Sequence, residues 1–211
     1  MSEIKLESTV ERPSDAQLAR ALMTKAFFYY VSETRINYVM IDDIYDDFVN
    51  TASTFGVSTL DYPECVHNIE TLGCIILCSE IAMKHCLNQP FDPLDWYEYL
   101  STGVELDESE YELDDTNEPF EFVEMLARID AELNQEISAF GLFRATCYKV
   151  TTMIKSPEVW SAIEHLADRL ETEERLSGEE IEEYLYKNFG DPFFLQFEPS
   201  VELWPHDWIS K

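Results

Sequence analysis

Residues 72–83 read Leu-Gly-Cys-Ile-Ile-Leu-Cys-Ser-Glu-Ile-Ala-Met, and the charge in this run is that of Glu80. With Val66 and Ile69 upstream, the apolar groups fall on every side of a helix rather than on one stripe. That pattern belongs to a helix enclosed by others. Pro63 suits the first turn of such a helix, which runs to about Leu87, and Pro90 lies past its end. A membrane span needs about 20 apolar residues, so this shorter run predicts the central buried helix of a helical domain.

Upstream, Ser14 stands three residues before Gln17, a capping box. Leu18, Ala21, Leu22 and Phe28 to Val31 follow at helical spacing and predict a helix over 15–33. Residues 3–11 alternate loosely, as a short strand or an arm would. Ile36 to Ile41 reads either as a strand or as the link into a second helix from Asp43 to Ala52, closed by Gly56. Downstream, Asp92-Pro93 opens a short helix through Trp96 and Leu100 that ends at Gly103. Pro119 opens another, with Phe122, Val123, Leu126 and Ile129, whose pattern allows continuation past Gly141 to Ile154. Ser156-Pro157 starts a helix over 157–172, and Ser177 with Glu180 forms a second capping box ahead of one over 178–188. Gly190-Asp191-Pro192 breaks that helix. The tail, 191–211, holds Phe193, Phe194, Phe197, Trp204 and Trp208, too aromatic to hang in water. It is expected to dock in extended form on the body or at the interface of a homodimer. The fold expected is mainly α: a single compact acidic helical domain over residues 1–211, with one or two short strands.

Charge is what sets this chain apart. It carries 43 Asp and Glu against 14 Lys and Arg, a formal net charge of −29 over 211 residues. Solubility asks for a net charge of only about 2–8 in a small domain, and self-repulsion beyond that works against the compact state. A hydrophobic content of 45% nevertheless supplies a core. Direct nucleic-acid binding is excluded in practice, because phosphate contact needs clustered Lys and Arg. Three readings remain: imitation of a polyanion, neutralisation of one basic protein such as a toxin, and adaptation to high salt. The last sits poorly with large aromatic core residues. The N-terminus is charged with no apolar run behind it, and the five cysteines are an odd number. Both fit reduced thiols in a cytoplasm, with no membrane association.

The acids gather in three places. Residues 104–118 contain Glu105, Asp107, Glu108, Glu110, Glu112, Asp114, Asp115 and Glu118 and no basic residue. Acids two apart in an extended chain share a face, at one charge per roughly 6.7 Å. Duplex DNA presents one per about 1.7 Å of axis, so this segment needs a second acidic surface beside it to imitate a duplex. Glu164, Asp168 and Glu171 lie at i, i+4 and i+7 of one helix, with Glu173, Glu174, Glu179, Glu180, Glu182 and Glu183 following. Asp42, Asp43, Asp46 and Asp47 form the third group, where a helix N-terminus would equally account for them. Each group also has a plain structural reading, as an acidic loop or a solvated helical face. The functional expectation rests on all three occurring together.

Catalytic motifs are absent: there is no Gly-rich phosphate loop, no His-Glu-x-x-His and no Gly-x-Ser-x-Gly. Cys65, His67, Cys74, Cys78, His85 and Cys86 fall close together, yet no Cys-x-x-Cys pair is among them, and core packing is the expected role of these cysteines. Neither an enzyme nor a metal or other cofactor is expected. Trp160-Ser161-Ala162-Ile163-Glu164-His165-Leu166-Ala167-Asp168-Arg169-Leu170, with Leu176-Ser177-Gly178-Glu179-Glu180-Ile181, resembles the closing helices of FtsH-type metallopeptidase domains. That family's zinc-binding motif is missing here, so the resemblance implies no residue role and no activity.

The function expected is that of an inhibitor whose carboxylates imitate nucleic-acid charge and block a DNA- or RNA-processing enzyme, of the anti-CRISPR or anti-restriction type. An immunity protein against a basic toxin is the alternative. The expected partner is a basic protein, such as a nuclease complex. The contact residues expected are Glu105, Asp107, Glu108, Glu110, Glu112, Asp114 and Asp115 on one segment, and Glu164, Asp168, Glu171 and Glu174 on the other. Trp96, Tyr99 and Tyr111 are the expected aromatic anchors, since charge gives rate more than affinity.

Overall fold

A computed structural model describes residues 13–41, 48–51, 66–102, 118–132 and 138–191. Helix α1 (Asp15–Val31) starts at the first capping box. The Ser14 hydroxyl accepts the Gln17 N–H, and the Gln17 side-chain oxygen accepts the Ser14 N–H at 2.8 Å. Helix α2 (Val66–Cys86) is buried at every position from Leu72 to Cys78. It lies between α1 and the later helix α5 (Ala139–Ile154), and is the central buried helix that its apolar run predicts. Helix α1 shares that position, because it packs against α2 and also against α6 (Pro157–Glu173). Phe27 and Phe28 of α1 are fully buried and meet edge to face at 5.8 Å. Helices α3 (Pro93–Thr102) and α4 (Glu118–Glu132) close the α5 side of this core. The approach of α4 is close: a Cβ on Gly73 would stand 2.3 Å from the Phe122 ring.

Three short strands lie against the other end of α1. They are β1 (Ile36–Met40), β2 (Phe48–Thr51) and β3 (Arg175–Ser177), in the order β2-β1-β3 with antiparallel pairing throughout. Val39 stands opposite both Val49 and Leu176. The helix expected from Asp43 to Ala52 is therefore wrong over 48–51. Phe-Val-Asn-Thr is rich in aromatic and β-branched side chains, and pairing with β1 satisfies its backbone, which local periodicity does not reveal. Strand β3 escapes sequence reading because it is three residues long. It follows a left-handed turn at Glu174 (φ 61°) and leads directly into α7 (Gly178–Phe189).

The helix opened by Pro119 does not run through to Ile154. Helix α4 ends at Glu132, and α5 begins afresh at Ala139, where the Ser138 hydroxyl accepts the Gly141 N–H at 2.9 Å. A serine cap terminates the pattern that hydrophobic spacing alone would carry on. Helix α7 ends against the core, with Phe189 edge-on to Phe27 at 5.7 Å and the Tyr30 hydroxyl donating to the Gly190 carbonyl. No described helix is long and apolar enough to cross a membrane. The arm at 3–11, residues 42–47, the acidic segment up to 117 and the tail beyond Asp191 lie outside the described residues.

Candidate partner-binding surface

Helix α6 buries Val159, Ala162, Ile163, Leu166, Ala167 and Leu170 on one stripe. The stripe recurs every three or four residues, which leaves the opposite face to solvent. On that side Asp168, Glu171 and Glu174 are exposed and Glu164 is half-buried. Two of the four expected contact acids are met by a cation of the same molecule. The Arg20 guanidinium of α1 lies 3.9 Å from Asp168 and 3.8 Å from Glu171. Glu174 serves the backbone as well: its N–H donates to Leu170 at 2.8 Å and its carbonyl accepts the Ile41 N–H at 3.0 Å. It thereby ties the end of α6 to the end of β1. For a non-glycine residue this left-handed conformation costs about 1–2 kcal/mol.

Several other cations are also engaged within the molecule, while Arg35, Lys155 and Lys187 are exposed. Arg169 bridges Glu173 at 2.9 Å and Glu180 at 3.0 Å. The Ser177 hydroxyl and backbone N–H, with Arg169, hold the Glu180 carboxyl down at about 2. Arg175 lies over the Tyr38 ring, 4.1 Å from its centre. Lys25 meets Glu118 at 3.0 Å; burial is the largest single influence and works to lower the Lys25 pKa, but the attraction and hydrogen bond of Glu118, with Tyr29 and Cys78, together outweigh it and the pKa is raised. Glu118, the last acid of the 104–118 segment and its one described member, is thus held at the body of the protein. Glu179 and Glu183 of α7 remain exposed, and Glu182 accepts the Ile36 N–H at 3.0 Å. Local charge balance is therefore met within the molecule by a few cations, while the acids outnumber them.

A second feature lies at the far end of α2. An open groove of about 630 Å³ is lined by Glu80, Lys84, Pro90, Phe91, Asp92, Asp95, Trp96 and Tyr99. Trp96 and Tyr99, two of the expected anchors, stand together in it. The Trp96 ring is set edge-on between Phe91 (5.3 Å) and Phe143 (5.4 Å), and Tyr99, 62% exposed, leans on Phe120 at 5.8 Å. Asp92 caps α3 by accepting the Leu94 N–H at 2.9 Å. Asp92 and Asp95 are not among the expected contact residues, although a signal for them exists: with Trp96 and Tyr99 they recur at i, i+3, i+4 and i+7, one helical face. What sequence does not reveal is the opposite wall, Glu80 and Lys84, which comes from a different helix.

Glu105, Asp107, Glu108, Glu110, Tyr111, Glu112, Asp114 and Asp115 lie outside the described residues. Cys74, Cys78 and Cys147 are buried, and burial pushes the Cys78 thiol up to about 12. Such a thiol stays protonated and is a poor nucleophile. Among the described residues no group of three or more His, Cys, Asp or Glu is placed to hold a metal ion. No protein-family model matches the chain, and no curated protein matches it.

Proposed function

We propose that the protein is an acidic inhibitor that occupies the nucleic-acid site of a basic DNA- or RNA-processing enzyme, of the anti-CRISPR or anti-restriction type, and that it acts in the cytoplasm without catalysis or cofactor. The observation that carries this reading is the net charge of −29 on a chain whose Arg20, Lys25, Lys84, Arg169 and Arg175 are all engaged by its own acids or rings. Carboxylates in excess of these internal partners face outward from α6 and α7.

In the mechanism, carboxylates stand in for phosphates against Lys and Arg of the partner. Glu164, Asp168 and Glu171 rise along α6 by roughly 5–6 Å per charge, at 1.5 Å per residue. That is sparser than the one charge per about 1.7 Å of duplex, so a second row is required. Glu179 and Glu183 on α7 support such a row, and the acids from Glu105 to Asp115 would add to it. Association is then steered, fast and salt-dependent.

The test is a pull-down from host lysate at low and high salt. Recovery of a nuclease or nuclease complex, lost when competing DNA is added, is the outcome expected. A captured basic protein that ignores DNA would instead be the partner of an immunity protein, and would sink mimicry. Charge reversal at Glu105, Asp107, Glu110 and Glu112 is expected to slow association with that partner; an unchanged rate would remove that segment from the contact.

A further inference from the structure

The groove between the end of α2 and helix α3 combines three features that no single acidic run has. It is a cavity, of about 630 Å³, within the roughly 300–1,000 Å³ of small-ligand sites. It has aromatic walls whose orientation is fixed before any ligand arrives, because Phe91 and Phe143 hold Trp96 edge-on. It carries three carboxylates, Glu80, Asp92 and Asp95, against the single ammonium of Lys84. Lys84 reaches Glu80 at 3.8 Å, and Asp92 already orients one oxygen toward the Leu94 N–H.

The chemistry of these walls selects the occupant. A bare metal ion needs several oxygens converging on one point at about 2.0–2.6 Å, and no such group exists among the described residues. An anion would meet three carboxylates. A purely apolar group would leave those carboxylates desolvated without partners. A flat, delocalised cation answers each demand: one face stacks on an indole or phenol ring, and the edge donates to carboxylates in the same plane. A lysine ammonium is a more strongly hydrated point charge and uses the ring faces less well.

The geometry points to this groove as a receptor for an arginine side chain presented by the basic partner, with Trp96 and Tyr99 as stacking walls and Asp95 and Glu80 as acceptors. The assignment rests on the basic-partner reading and names the residue type that the partner contributes. It also gives the interaction a site of specificity apart from the acidic faces of α6 and α7, whose contribution is long-range attraction.

The experiment titrates the full chain with oligo-arginine, oligo-lysine and oligo-citrulline peptides of equal length at fixed low salt, following the Trp96 indole N–H signal by NMR, assigned through Trp96→Phe. Oligo-arginine is expected to move that signal and to bind more tightly than oligo-lysine, with oligo-citrulline inert. The double change Asp95→Asn with Tyr99→Ala alters two exposed side chains and is expected to weaken oligo-arginine binding by roughly tenfold, in keeping with one solvent-exposed cation–π contact and one exposed ion pair. It should leave oligo-lysine binding and the circular dichroism spectrum unchanged. If oligo-arginine binds the double variant as it binds the native chain, or leaves the Trp96 signal in place, the groove is not its seat, while the basic-partner reading stands. If neither cationic peptide binds at low salt, both readings fall together.

Discussion

Helices α1 and α2 are apolar on nearly every side, whereas α6 and α7 keep their apolar residues to one stripe. In α1 the twelve buried residues include Phe27, Phe28, Tyr29 and Tyr30 in succession. In α7 the buried set is Gly178, Ile181 and Leu185. The first pair is enclosed over most of its length, at every position from Leu72 to Cys78 in α2, so its sequence there is constrained by volume. The second pair owes its place to a narrow stripe and a few polar ties, so its outer face is open to charge. This division lets the chain combine a 45% hydrophobic content with dense negative charge on α6 and α7: in these four helices the two demands fall on different elements.

The sharpest way to break that division is to cut into the first pair. Phe27→Ala should cost about 3–5 kcal/mol, the range for removing a fully buried ring, read as the shift in urea midpoint. A cost under about 1 kcal/mol would mean that α1 is not the packed centre. Next comes the junction between the two regions. A Cβ on Gly178 would stand 1.7 Å from the Ile36 carbonyl oxygen, a backbone atom with no rotamer to give way. Gly178→Ala should therefore cost roughly 1–3 kcal/mol and raise amide exchange in α7 before α1; uniform exchange would show that α7 does not depend on this contact.

A smaller effect isolates the polar ties of the second pair. Ser177→Ala removes the hydroxyl that caps α7 and should cost about 1 kcal/mol. Its pH dependence carries a sign. The Glu180 carboxyl ionises at about 2 in the folded protein against 4.5 ordinarily, so the stability it contributes is present above about pH 4.5 and disappears as pH falls toward about 2. The gap in thermal midpoint between the native chain and Glu180→Gln should close across that window, and a gap that stays constant would remove this role. Least of all should stability respond to Asp168→Asn with Glu171→Gln, since both acids are exposed and their contacts with Arg20 are long. A change within about 0.5 kcal/mol is expected. The same double variant should lose part of the salt dependence of association with the proposed basic partner; an undiminished salt slope would place the contact elsewhere.

Local patterns made much of this legible. Both capping boxes, Ser14 with Gln17 and Ser177 with Glu180, mark helix starts within a few residues and need no tertiary information. Where a cap lacked its partner glutamate, as at Ser138, the helix start went unseen and spacing suggested one long helix. Strand β2 was missed for a different reason, because its identity depends on pairing with β1 rather than on its own four residues.

By itself the amino-acid sequence determined the helical class, the enclosed helix at residues 72–83 and the excess of negative charge, because periodicity, capping and composition act over a few residues or over the whole chain without regard to contacts. Only the tertiary structure decided which acids are held by Arg20, Lys25 and Arg169, and that Glu80 of one helix faces Asp95, Trp96 and Tyr99 of another across a groove. Those relations join residues distant in sequence, and local periodicity says nothing about which side chains meet once the helices pack.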